Sequence, residues 1–206
     1  MKNKSKRRWL FLFMGIVLSI FFFYFQNNAI VTTEYSISSD TLPQSFNDYK
    51  IVQLSDLHSK SFGNDQSDLV NRVKKVSPNL IVCTGDLVDA DRYDEEPSFL
   101  LMDKLVQIAP VYYVTGNHEW WSGEFNSLED KLNDIGVHVM RNTAKIITNG
   151  TDNIHLVGID DPAEVVNSDG ERTILKENIE DAIEEVEKGN NFEILLSHRP
   201  EMFSIY

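Results

Sequence analysis

An apolar run from Val111 to Val114 passes directly into Thr115-Gly116-Asn117-His118-Glu119. Such a run reads as a buried strand. Packing gives no reason for a buried strand to end in a glycine, an amide, an imidazole and a carboxylate. Glycine lets the backbone turn sharply and approach another segment closely. The three residues after it form a ligand-and-proton set. Three other apolar runs end in the same chemistry: at Ser55-Asp56-Leu57-His58, at Thr84-Gly85-Asp86-Leu87-Val88-Asp89, and at Ser197-His198-Arg199-Pro200.

The elements between these runs fix the fold class. Tyr49 to Leu54, Leu80 to Cys83 and Val111 to Val114 read as strands. Leu69, Val70, Val73 and Val76 recur at helical spacing after the start signal Gly63-Asn64-Asp65, and Pro78 stops the pattern. Phe99, Leu101, Leu105 and Ile108 predict a second helix, and Leu128, Leu132 and Ile135 a third that Gly136 ends. Alternating strands and helices predict a parallel sheet covered by helices. Val137 to Met140, Ala144 to Ile147 and Ile154 to Ile159 then read as three strands of a second, more antiparallel sheet. Asn149-Gly150 is its hairpin signal. Leu175 to Val186 predicts an acidic amphipathic helix with a solvated face, and Phe192 to Leu196 a last strand.

The N-terminus has a different character. Lys2, Lys4, Lys6, Arg7 and Arg8 precede an uncharged stretch of 17 residues, Trp9 to Phe25. That length suits a short membrane-spanning helix. Gln26-Asn27-Asn28-Ala29 is a poor cleavage site, so an uncleaved single-pass anchor with a cytoplasmic basic end is expected. A cleaved signal peptide and twin-arginine export through Arg7-Arg8 are the alternatives. Residues 1–28 are then basic segment and anchor, 29–48 a connection in which Ile30 to Ser38 alternates as a strand would, and 49–206 the folded domain. Beyond the anchor stand 14 basic and 32 acidic residues, a formal charge of −18. A domain so acidic repels polyanions, so no nucleic-acid partner is expected. Cys83, the single cysteine, leaves no internal disulfide and reads as a small core residue.

In a parallel sheet, ligands bind beyond the carboxyl ends of the strands. Carboxylate, imidazole and amide oxygen without thiolate suit Mn, Fe or Zn at a hydrolytic site. Each residue also has a plainer reading: Asp56 as a turn residue, Asp86 as a helix cap, His118 as a satisfied polar group. Four strand ends with matching chemistry outweigh these. Trp120 and Trp121 either line a cleft or pack beneath the loop. His138 and His155 receive no role.

Asp56-x-His58, Gly85-Asp86-x-x-Asp89, Gly116-Asn117-His118-Glu119 and His198 together resemble the calcineurin-like metallophosphoesterases over about residues 49 to 200. The anchor, Leu54-Ser55-Asp56-Leu57-His58 and Ser197-His198-Arg199-Pro200 are similar to a membrane-bound bacterial branch described as UDP-2,3-diacylglucosamine pyrophosphatase-like. Ala90-Asp91 after Asp89 departs from the Asp-Arg-Gly of protein Ser/Thr phosphatases. The resemblance implies an α/β two-sheet sandwich flanked by helices. It implies two divalent metal ions, Mn, Zn or Fe. Asp56 and His58 would hold the first, Asn117 and His198 the second, and Asp86 would bridge. By the same resemblance His118 would protonate the leaving group and Asp89 would orient His118.

The family pattern closes with Gly-His-x-His, and the sequence reaches Tyr206 without it. The expectation is therefore a domain that lacks its C-terminal part. Its function is expected to be metal-dependent hydrolysis of a phosphoester or pyrophosphate, outside the cytoplasm at the cell membrane. The anchor suggests a lipid-linked substrate. The alternative is a catalytically inactive anchored domain that binds a phosphorylated ligand or a protein partner.

Overall fold

The computed structural model describes residues 2–164, 168–184 and 191–206. The chain divides into two compact units, Met1–Tyr35 and Ser36–Tyr206.

The first unit contains helix α1 (Lys2–Asn28). Within its residues Lys6 to Asn28 an 18-residue stretch has a mean hydropathy of 2.0, and none of these residues is buried. At about 1.5 Å rise per residue they can span a bilayer's hydrocarbon core of about 30 Å. Residues 29–39 form no strand, contrary to the alternation of Ile30 to Ser38. Val31, Tyr35 and Ile37 are all exposed there. An alternating pattern makes a strand only where a neighbouring strand takes its hydrogen bonds.

In the second unit, β1 (Ile51–Leu54) is followed by α2 (Ser67–Val76), β2 (Leu80–Thr84), α3 (Glu96–Leu105) and β3 (Val111–Val114). Short helix α4 (Asn117–Ser122), α5 (Phe125–Asp134) and β4 (His138–Val139) come next. The four strands form one parallel sheet in the order β1-β2-β3-β4. The strand expected at Val137 to Met140 thus closes the first sheet rather than opening the second. α5 carries the chain back across the sheet, so the next strand enters parallel to β3. No pattern marks α4, because the polar sequence Asn117-His118-Glu119 carries no apolar period.

The second sheet has the order β5-β6-β7, where β5 is Thr143–Asn149, β6 Asp152–Gly158 and β7 Glu193–Leu196. β5 and β6 form the antiparallel hairpin that Asn149-Gly150 signals, and β7 joins β6 in parallel after α6 (Ser168–Glu184). Val186, in the expected extent of that helix, lies outside the described residues. The two sheets share one core: Leu80, Val82, Tyr112, Val114 and Met140 meet Ile147, Ile154, Leu156 and Leu196. Alternate residues of β2 face the other way, where Cys83 Sγ lies 3.8 Å from Met102 Sδ of α3. Leu175 and Ala182 of α6 pack with Val157 and Ile159 beside the second sheet. The domain is the expected two-sheet α/β sandwich with helices.

Candidate metal centre

The segments that follow β1, β2, β3 and β7 converge. The Asp56 N–H donates to Gly85 O at 3.1 Å, and the His58 N–H to Asp86 O at 3.0 Å. These bonds lay the β1 loop along the β2 loop. The His118 N–H donates to Asp86 Oδ1 at 3.0 Å and brings in the β3 loop. The approach requires two glycines. A Cβ on Gly85 would stand 2.5 Å from Gly116 N, and one on Gly116 would stand 2.3 Å from Asp86 Oδ1. Asp56, His58 and Asp86 all hold a left-handed backbone, with φ of 56, 49 and 51°. Left-handed side-chain residues are uncommon and cluster where function over-determines the backbone.

Asp86 is the centre of the side-chain cluster. Its Oδ2 lies 3.5 Å from His58 Nε2 and 3.4 Å from His198 Nε2. Asp56 Oδ1 is 3.8 Å from His58 Nε2. Two triads result, His58/Asp86/His118 and Asp56/Asp86/His198, each with its ligand atoms within 4.8 Å of one another. Two donors about 2.1 Å from one tetrahedral ion stand roughly 3.4 Å apart, so the spacing and the nitrogen–oxygen donor set fit divalent metal. Asn117, His198 and Asp56 also line a cavity of about 360 Å³, together with Gln53, Ser55 and Arg199.

Hydrogen bonds set the histidine protons. Thr84 O lies 2.7 Å from His198 Nδ1, so Nδ1 carries a proton and Nε2 faces Asp86. A backbone carbonyl behind a ring in this way orients a metal-binding imidazole. Burial pulls the His198 pKa down, but Asp86 and the Thr84 carbonyl outweigh it and lift it to about 9. Burial pushes the Asp86 carboxyl up, but the His198 ring and the His118 N–H prevail and hold it below its ordinary range. His118 Nδ1 accepts the Ala90 N–H at 3.0 Å. Its ring meets the His58 ring edge-on, with centroids 4.5 Å apart.

Asp89 takes other partners than the one the resemblance implies. Its Oδ1 accepts the N–H groups of Asp91 and Arg92, and its Oδ2 takes the Arg92 guanidinium at 2.9 Å. The ring of His118 is held instead by the backbone of Ala90, the residue after Asp89. Trp120 takes the packing role, and Trp121 stands exposed beside His118. Trp120 donates Nε1–H to Thr115 and packs on Phe125, whereas Trp121 is 60% exposed with its ring 5.4 Å from that of His118.

Glu119 has a function that its place in the ligand-like run concealed. It is fully buried. Its carboxylate accepts N–H groups from Asp86, Leu87, Val88 and Gly116 at 2.7 to 3.2 Å. Burial pushes its carboxyl up against the pull of these N–H groups. Glutamate three residues after a helix cap is the sequence signal for the Gly116 bond. Asp160 and Asp161 also went unmarked, although they too follow an apolar strand.

A model of the family described as calcineurin-like phosphoesterase matches residues 49–202. An uncharacterized metallophosphoesterase of Campylobacter jejuni is 33% identical over 128 residues, covering 61% of this chain and 34% of its own. A Bos taurus protein named transmembrane protein with metallophosphoesterase domain is 29% identical over 184 residues, covering 85% of this chain and 40% of its own. The chain thus spans less than half the length of either relative. Among solved structures, the phosphopantetheinyl hydrolase of Mycobacterium tuberculosis is similar at 20% identity and a TM-score of 0.41, over 73% of this chain and 56% of that one.

Proposed function

The chain belongs to the calcineurin-like phosphoesterase family, and from that premise we propose that residues 49–206 hydrolyse a phosphoester or pyrophosphate bond with the help of two divalent metal ions. The carrying observation is the pair of triads that share Asp86. By the resemblance, Asp56, His58 and Asp86 would hold one ion, and Asp86, Asn117 and His198 the other, whereas the triads themselves set His118 beside His58 and Asp56 beside His198. Asp86 suits the shared place because a carboxylate offers an anionic oxygen to each of two cations. When bound, the ions supply the positive charge that polarises the phosphoryl group and favours in-line attack. Mn, Fe and Zn all suit this donor set.

The chain's own residues do the remaining work. His118 accepts the Ala90 N–H at Nδ1, so the neutral ring carries its proton on Nε2. That proton goes to the leaving oxygen as the ester bond breaks. Asp89 acts at one remove, fixing the turn that presents the Ala90 N–H.

The apolar α1 and the transmembrane relative support a membrane anchor. In this reading residues 1–28 anchor the chain in the cell membrane and 29–48 connect the anchor to the domain. The domain faces away from the cytoplasm, because the basic residues before Trp9 favour the cytoplasmic side. A site tethered at the bilayer suits a lipid-linked phosphoester or pyrophosphate, as the UDP-2,3-diacylglucosamine pyrophosphatase-like branch would use.

The test is metal analysis of the dialysed full chain in detergent, with a phosphodiester hydrolysis assay in Mn. Bound Mn and turnover that both vanish in Asp86→Asn support the proposal. Turnover that survives the substitution overturns it. Tight binding of a phosphorylated ligand with no hydrolysis in Mn, Fe or Zn favours an inactive binding domain instead.

A further inference from the structure

Asp161 joins the two sheets at the edge of the site. It follows β6, whose extension is pinned to β7 by the Ile159 N–H to Leu196 O bond at 3.1 Å. The Asp161 side chain is fully buried. Its backbone N–H donates to Thr115 Oγ1 at 2.9 Å. Thr115 immediately precedes Gly116-Asn117, and its hydroxyl has no capacity left. It accepts from Asp161 and from Trp120 Nε1, and donates to Asp160 Oδ1 at 2.9 Å. On the other side, the Asp161 carboxylate takes the Arg199 fork, with Nε at 2.6 Å from Oδ2 and Nη2 at 3.0 Å from Oδ1. Arg199 is the residue next to His198. A planar two-point pair fixes orientation as well as distance, which a lysine cannot reproduce.

We propose that Asp161 is a positioning residue that sets the spacing between Asn117 and His198, and with it the affinity of the site those two residues share. One arm of the clasp reaches Asn117 through Thr115, and the other reaches His198 through Arg199. The end of β2 also bonds to both loops, at Thr84 to His198 and at Asp86 to the His118 N–H, and Asp161 adds a second tie between them from the other sheet. Asp56, His58 and Asp86 are held by bonds between the β1 and β2 loops rather than by Asp161 or Arg199, so the site built on them should depend on the clasp less. The inference rests on the two-metal reading above.

The test is Mn titration of the full chain in detergent, followed by metal analysis and by electron paramagnetic resonance, which separates coupled from isolated Mn. The wild type is expected to hold two Mn with a coupled signal. Asp161→Asn and the milder Arg199→Lys should each weaken one site by about 10–100-fold, the range for outer-shell partners of metal ligands. Both should leave one Mn with an isolated-ion signal. The double variant should lose no more than the larger single loss, because both changes cut one contact. A general loss of fold would release both ions together and would also show in the melting temperature. If Asp161→Asn fails to fold, Arg199→Lys alone carries the test. Two tightly held, coupled Mn in the folded variants overturn the clasp while leaving the two-metal reading intact. A wild type that binds no Mn overturns that reading, and the clasp with it.

Discussion

Ala90 donates its backbone N–H to Nδ1 of His118 at 3.0 Å. A backbone donor cannot be withdrawn by pH or exchanged for an acceptor, so it fixes the tautomer of the neutral ring. The proton stands on Nε2, where a leaving oxygen can receive it. His118→Asn should therefore slow hydrolysis of alkyl phosphodiesters by roughly 10²–10⁴-fold, the usual worth of general acid catalysis. Nitrophenyl esters, whose leaving group needs little protonation, should lose far less. Equal losses for the two substrate types would remove His118 from this role.

Glu119 leads to a stability prediction. Glu119→Ala leaves four inward-facing N–H groups without their acceptor. Each unsatisfied buried group costs about 1–3 kcal/mol. Partial relaxation would recover some of this, so a loss of about 3 kcal/mol or more is expected. The substitution should also release the Asp86 loop from Gly116 and weaken metal binding. Thermal melting in detergent, with and without Mn, measures both effects. An unchanged melting temperature would show that the carboxylate does not hold the loops.

The strand ends were legible because each places chemistry where packing offers no reason for it. Asp56, His58, Asp86, Asn117, His118 and His198 announce themselves in this way, and the structure brings their loops together. What escaped is carried by hydrogen bonds to the backbone. Nothing in the sequence shows that Ala90 turns its N–H toward a ring 28 positions away, or that Glu119 faces inward. Asp160 and Asp161 bond to Thr115, Arg141 and Arg199, partners 19 to 46 positions distant, so no local pattern marks them. β4 joins the first sheet rather than the second for a related reason. The pattern of Val137 to Met140 is apolar in either sheet, and only the path of α5 decides between them.

Cys83 supplies a reporter of the fold. Burial pushes its thiol up to about 12. The thiolate is the reactive form, so at pH 8 only about one molecule in 10⁴ is reactive, and that one is shielded. A disulfide-exchange reagent should leave Cys83 untouched in the native chain between pH 6 and 9. It should modify Cys83 fully in denaturant. Rapid labelling of the native chain at pH 8 would place Cys83 outside the core and contradict the packing of β2 on α3.

The charge distribution around α1 predicts topology. With Lys2 to Arg8 retained in the cytoplasm, protease added to intact protoplasts should digest the acidic domain and spare the N-terminus. An N-terminal epitope should become accessible only after lysis. Complete protection of the domain in intact protoplasts would reverse the orientation.

The approach of the β2 and β3 loops at Gly85 gives the most direct test of the site's geometry. Gly85 has φ +90°, and a Cβ there would meet Gly116 N at 2.5 Å, Gly116 Cα at 2.6 Å and His198 Nδ1 at 2.7 Å. Two of these atoms are backbone, and the third is held by the Thr84 carbonyl, so none is a free side-chain end that can swing aside. Gly85→Ala must therefore push the β2 and β3 loops apart or displace the His198 ring. Either movement breaks the His198–Asp86 spacing. A misplacement of about 1 Å in a catalytic constellation can cost about 10²-fold in rate. The core lies below the loops, so Cys83 should stay protected from labelling in the variant. Loss of hydrolysis and of bound Mn with Cys83 still protected is the expected result. A Gly85→Ala chain with wild-type turnover would mean that the two loops do not need to touch for the site to work.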